Sequence, residues 1–144
     1  MNAQELWEEY SQKENISAEY EAWAFGDAAD ELAGLVLNGT KTATASAFPL
    51  YEQEGGELPK AGQYSVILDS NDNAVCVIRT ETVFVVPFCD VEERQAWKEG
   101  EGDRSLAYWR EVHKRFFTEC MSEAGLQFED TMNVVCEEFV RVYP

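Results

Sequence analysis

Asn38-Gly39-Thr40-Lys41-Thr42-Ala43-Thr44 is the stretch whose reading decides the fold. It follows Asp27 to Leu37, where Leu32, Leu35 and Val36 recur at helical spacing behind an aspartate suited to an N-cap. Gly39 stands where such a helix stops, because glycine takes the left-handed conformation at a helix end without steric cost. The threonine-rich run Thr40 to Ser46 then suits a strand, since β-branched side chains fit a pleated surface better than a helix. The order is helix, glycine, lysine, strand. A lysine enclosed in a pocket at that junction can polarise a carbonyl or phosphoryl oxygen, and Thr44 offers a hydroxyl three residues on. Residues 41 and 44 of a straight strand face opposite sides, so their meeting requires a turn at Lys41, which Gly39 permits. Outside a pocket Lys41 is an ordinary cation, favourably placed beside a helix C-terminus.

The 144 residues are 45% apolar and 12% aromatic, enough for one domain with a core of its own, spanning 1–144. No apolar run is long enough to span a bilayer, and Met1 to Glu5 has neither basic residues nor an apolar segment, so the expected location is cytoplasmic. Cys76, Cys89, Cys120 and Cys136 are widely spaced and only one histidine is present, so free thiols are expected, with no metal ligand set and no cofactor. A formal charge of -17 opposes tight, non-specific binding to a long polyanion, and no DNA partner or membrane is expected. The cations are not evenly spread, however. Arg104, Arg110, Lys114 and Arg115 fall in one helix and its approach, as a local positive surface or as partners for neighbouring acids on a solvated face.

Residues 1–24 read as one or two short helices packed on the rest, with Leu6, Trp7 and Tyr10 on one stripe and Ser17 capping a second turn toward Trp23. Gly55-Gly56 and Pro59 to Gly62 mark loops, which places Tyr51 to Glu54 on a connection rimming a cleft. Tyr64 to Leu68 and Ala74 to Val86 form a hairpin about the Asp69 to Asn73 loop, the second strand long enough for a bulge, with this hairpin at the centre of the sheet. A short helix follows from Val91 to Lys98, stopped at Gly100, and Asp103 is positioned to cap a long one from Arg104 to Ala124. Val134 to Tyr143 closes the sheet as a last strand. The expected fold class is α+β, a small β-barrel decorated by helices.

Several blocks of this chain resemble the ASCH domain family, a relative of the PUA RNA-binding fold. Its Gly-x-Lys-x-x-Thr signature is matched by Gly39, Lys41 and Thr44. Phe25-Gly26-Asp27, Leu58 to Gly62, Pro87 to Val91, and Glu99 to Leu106 followed by Trp109 also resemble its longer bacterial single-domain members, and the likeness spans roughly residues 20 to 140. The resemblance implies a PUA-like barrel and a hydrolase acting on RNA or a modified nucleoside.

Regular alternation along Ala74 to Val86 puts Arg79 and Glu81 on one face among valines. They pair with each other or across the sheet, turn to solvent at a bulge, or face the cleft. Family members with hydrolytic activity carry a glutamate on the strand after the lysine-threonine motif, which the resemblance assigns to Glu81. Lys41, Thr44 and Glu81 are therefore the expected catalytic set. Gly39, Tyr51, Arg79, Arg104 and Ser105 are the expected substrate contacts: Tyr51 stacks on a base, and Arg104 and Ser105 meet a phosphate at a helix N-terminus. His113, between Trp109 and Phe116, is expected as a core residue rather than a base. The first expectation is a ribonuclease-like enzyme on single-stranded RNA, with a divalent cation as a possible aid. The alternatives are an N4-acetylcytidine amidohydrolase, in which Thr44 attacks the acetyl carbonyl, and a non-catalytic RNA- or nucleotide-binding module.

Overall fold

The computed structural model describes all 144 residues. Helix α1 (Ala3–Lys13) opens on a capping box in which the Asn2 side chain accepts from the Glu5 N–H and the Glu5 carboxylate accepts from the Asn2 N–H. It buries Leu6, Trp7 and Tyr10 against Val66 and Val77 of the sheet. No second helix follows. Tyr20–Ala24 is a strand, β1, laid parallel to β3 (Tyr64–Leu68) with Tyr20 beside Tyr64. Pairing and aromatic packing outweigh local helix preference here: Trp7 stacks on Tyr20 and also meets Tyr64.

Helix α2 (Ala29–Leu37) stands where expected, but its N-cap is Ala28, in the left-handed conformation at φ 51° and without a side-chain cap. Asp30 in its first turn instead accepts from the backbone and hydroxyl of Ser70, tying the helix to the β3–β4 loop. Strand β2 (Ala43–Ala47) runs directly into helix α3 (Phe48–Glu54), so Tyr51 to Glu54, expected on a connection, are helical. Pro49 in its first turn and Gly55 at its end, left-handed at φ 68°, are ordinary helix punctuation.

Strand β4 (Ala74–Pro87) is long and bulged as expected, and β5 (Asn133–Tyr143) pairs with it antiparallel. The strand order is β1-β3-β4-β5-β2, an open sheet curled into a half-barrel, with the β3–β4 hairpin inside it. Helices α4 (Glu93–Glu99) and α5 (Leu106–Glu123) cover one end, where Phe88, Trp109, Phe117 and Met121 pack on Val134 and Cys136. Ser105, not Asp103, caps α5: its hydroxyl accepts from the Tyr108 N–H. A second core joins Phe25 and Val36 to Ile67, Cys76, Ile78 and Phe139. The four cysteines are free; burial pushes the thiols of Cys76 and Cys136 up to about 11 and about 12, while Cys89 is exposed. No helix is long and apolar enough to cross a membrane.

Candidate functional site

A cavity of about 720 Å³ opens on the concave side of the half-barrel. Both edge strands reach it: β1 contributes Glu21 and Trp23, and β2 contributes Thr44 and Ser46. The required turn at Lys41 is present. Gly39 sits at φ +87°, the Lys41 N–H returns to the Leu35 carbonyl, and the strand begins only at Ala43, so Lys41 and Thr44 both line the cavity.

Lys41 is 1% exposed. Its Nζ lies 3.3 Å from Glu99 Oε1, 3.4 Å from the Glu99 carbonyl and 3.0 Å from Glu101 Oε2, with the Phe25 ring centroid 5.2 Å away. An ammonium carries three protons, and all three have acceptors here. Glu99, on the buried side of α4, also accepts from Gln95 Nε2 at 3.0 Å and from the Trp109 indole, and His113 Nε2 stands 3.3 Å from it. Burial alone raises the pKa of Glu99, but the charges of Lys41 and His113 outweigh it and hold the carboxyl well below its ordinary range. Burial likewise lowers His113, and the Glu99 carboxylate overrides it and raises the imidazole. Gln95 Nε2 also donates to the Thr44 carbonyl at 3.1 Å, so one side chain links the lysine network to the threonine strand.

Glu99, Glu101 and His113 bring ligand atoms within 4.8 Å of one another. Lys41 Nζ is bonded to both carboxylates and supplies the positive charge a metal would bring, so this set fits a divalent ion only if Lys41 leaves.

The carboxylate across from Thr44 is Glu137. The antiparallel register of β2 and β5 pairs Thr44 with Glu137, which brings their Cβ atoms to about 5 Å on one face of the sheet. Burial pushes Glu137 up to about 7; a hydroxyl donated by Thr80 at 3.4 Å partly offsets this, and the charge of Glu21 adds to it. Tyr51 also lines the cavity, its hydroxyl 2.9 Å from that of Ser46.

The other expected contacts lie elsewhere. At the β4 bulge Thr80 pairs with Phe139 and Thr82 with Glu138, so Glu81 is skipped and turned to solvent, where it accepts from Arg79 at 2.8 Å. The regular alternation that put Arg79 and Glu81 on one face breaks at that residue, and of the three readings the mutual pair turned to solvent at a bulge is the one observed. Arg104 donates to the Trp97 carbonyl at 2.9 and 2.7 Å and lies 3.7 Å over the Trp97 ring. Ser105 is committed as a helix cap, and Gly39 is exposed with its role confined to the turn. None of Gly39, Arg79, Glu81, Arg104 and Ser105 lines the cavity. His113 is buried as expected, but it lines the cavity and joins the Glu99 network. Glu99 and Glu137 escaped the sequence reading. The available signal was the Glu137-Glu138 pair set between Val134-Val135-Cys136 and Phe139-Val140 in the last strand; Glu138 turns away to Arg94 and Lys98 while Glu137 turns inward.

The cavity is acidic. Glu21, Asp27, Glu31, Glu57, Glu99, Glu101 and Glu137 line it, against Lys41, Arg115 and the imidazole of His113.

The family model described as ASCH domain matches residues 21–143. The chain belongs to the ASCH domain family. Among solved structures it is similar to the ASCH domain from Lactobacillus crispatus JV V101, at 32% identity and a TM-score of 0.90 over 98% of this chain and 94% of that one. It is similar also to protein EF3133 from Enterococcus faecalis V583, at 35% identity and a TM-score of 0.88 over 99% of this chain and 88% of that one. The hypothetical protein PH0355 shares the fold at 16% identity, with a TM-score of 0.58 over 87% of this chain and 100% of that one. No curated protein matches this ASCH chain significantly.

Proposed function

We propose that this ASCH protein is an amidohydrolase of a small, uncharged N-acylated nucleoside, for which N4-acetylcytidine is the test substrate. The observation that carries the proposal is the direct cross-strand opposition of Thr44 and Glu137 inside a cavity ringed by carboxylates. A ribonuclease needs cations along a phosphate chain, but Arg79 and Arg104, expected to serve it, are engaged outside the cavity. A neutral acyl amide meets no such repulsion.

In this mechanism the Thr44 hydroxyl oxygen attacks the acyl carbonyl while its proton passes to the ionised Glu137 carboxylate. The tetrahedral oxyanion is stabilised by the ammonium of Lys41. Collapse breaks the carbon–nitrogen bond, and Glu137 returns the proton to the leaving amine. Water then attacks the Thr44 ester, giving its proton to Glu137, and on collapse Glu137 passes that proton to the departing Thr44 oxygen, which releases the carboxylic acid and restores the free hydroxyl. A base held at about 7 is half ionised at neutral pH, which suits both proton acceptance and return. The buried Lys41-Glu99-His113 network and Gln95 keep the lysine and the threonine strand in fixed relation.

Incubation of wild type, Thr44→Ala and Glu137→Gln with N4-acetylcytidine, and separately with a single-stranded RNA, tests this by mass spectrometry. Loss of acetyl from the nucleoside by wild type alone is the expected result. Chain fragments from the RNA with an untouched nucleoside would overturn it in favour of a ribonuclease, and binding without turnover in favour of a recognition module.

A further inference from the structure

Lys41 has no free proton to offer a substrate. Its three donors meet the Glu99 carbonyl, Glu99 Oε1 and Glu101 Oε2, and Nζ is enclosed at 1% exposure. An incoming oxygen can bind Lys41 only by replacing one of these. The two contacts to Glu99 are not replaceable in this sense: its carboxylate is 1% exposed and is held from other sides by Gln95, Trp109 and His113. Glu101 differs in each respect. Its side chain is 17% exposed, Lys41 is its only ion-pair partner, and it stands on the loop joining α4 to α5 rather than within either helix.

That loop is anchored at both ends and takes the left-handed conformation at alternate residues. Gly100 at φ +72° packs against the Thr40 carbonyl, Gly102 at φ +57° lies under the Tyr108 ring, and Arg104 at φ 65° is clamped to Trp97. Only the segment between these anchors carries Glu101. Both Glu101 and Tyr108 line the cavity.

We infer that Glu101 is a displaceable stand-in for a ligand oxyanion: its Oε2 occupies the position on Lys41 that a negatively charged ligand oxygen takes, and the ligand binds by evicting it. The ligand class is a carboxylate or the tetrahedral oxyanion of acyl transfer. A neutral carbonyl gives up more than it gains in that exchange, because Lys41 loses a charged acceptor for an uncharged one. A charged oxygen restores the balance. Glu101 thus makes Lys41 selective for the transition state over the ground state. The inference rests on Lys41 acting as the oxyanion-side cation proposed above, but its test needs no turnover.

Acetate, the carboxylate product of the proposed reaction, is the probe. Its binding is followed at constant ionic strength through the indole N–H resonance of Trp109, which donates to Glu99 beside Lys41. Removing an internal competitor raises apparent affinity in proportion to how seldom the site was open, so Glu101→Gln is expected to tighten acetate by about tenfold or more. Glu57→Gln removes the same charge from the cavity lining without touching Lys41, and is expected to change affinity by less than about threefold. Equal gains in the two variants, or none in Glu101→Gln, overturn the inference whether or not the protein hydrolyses anything. A gain confined to Glu101→Gln in a protein that turns over no substrate sustains it and removes the hydrolase proposal instead.

Discussion

Glu137→Gln should lose activity and gain stability, and the gain should depend on pH in a defined direction. Folding raises the pKa of Glu137 from its ordinary 4.5 to about 7, so between those values the folded chain binds more protons than the unfolded one. Stability then falls as pH rises through that window, and above about 7 the full cost of a desolvated carboxylate is present. At about 1.4 kcal/mol per pH unit that cost is about 3 kcal/mol. Glutamine copies the shape of the protonated acid and cannot ionise. Relative to wild type it should therefore change little at pH 5 and stabilise by about 2 to 3 kcal/mol at pH 8.5, or about 6 to 10 °C in Tm for a chain of this size. Thermal melts of the two proteins at both pH values supply the comparison. Glu81→Gln, which removes the same charge from an exposed position, serves as the control. A Tm difference for Glu137→Gln that is the same at both pH values would falsify the burial of Glu137 as the cause of its titration.

The same carboxylate should set the reaction's pH dependence: kcat/KM for N4-acetylcytidine should climb tenfold per pH unit below about 7 and level off above it, and a flat profile removes Glu137 as the base. Glu99→Gln leaves Lys41 with a weaker partner in a buried site and should cost about 3 to 5 kcal/mol in urea denaturation, whereas a loss under 1 kcal/mol would mean the network is solvated. Phe117→Ala, at 1% exposure between Phe88 and Phe116, should cost about 3 to 5 kcal/mol by the same measurement. Glu81→Ala and Arg104→Ala should leave turnover of a nucleoside within about twofold of wild type, and a hundredfold loss in either would return that residue to the site.

The elements with strong local signals were legible in sequence. The helix before Gly39, the bulged strand from Ala74, and the long helix ending near Gly125 all stand close to where periodicity and glycine put them. β1 was not legible, because its five residues carry no clean alternation and become a strand only through parallel pairing with β3, a contact about 44 residues away. The site divided along the same line. Lys41 and Thr44 were found from local order, since a helix end, a glycine and a strand start are neighbours in the chain. Glu137 was missed because its partnership with Thr44 is a matter of register between β2 and β5, which no local pattern states. Glu81 stood in its place because the family resemblance calls for a glutamate on the strand after the lysine-threonine motif, and one inserted residue at the β4 bulge turns that side chain to solvent.

The sheet's order ends on β1 at one side and β2 at the other, and both terminal strands wall the cavity. Opposite walls of the binding space therefore share no ladder of backbone hydrogen bonds with each other; the sheet joins them through the three strands between, and the chain joins them through α2. Like the jaws of a spring clip, they can part or close by a change of curl that breaks no backbone hydrogen bond. A fully closed barrel has no such freedom. Ligands of differing width then cost this protein elastic bending rather than local unfolding, and amide protons of β1 and β2 should report occupancy by slowed exchange along both rims at once.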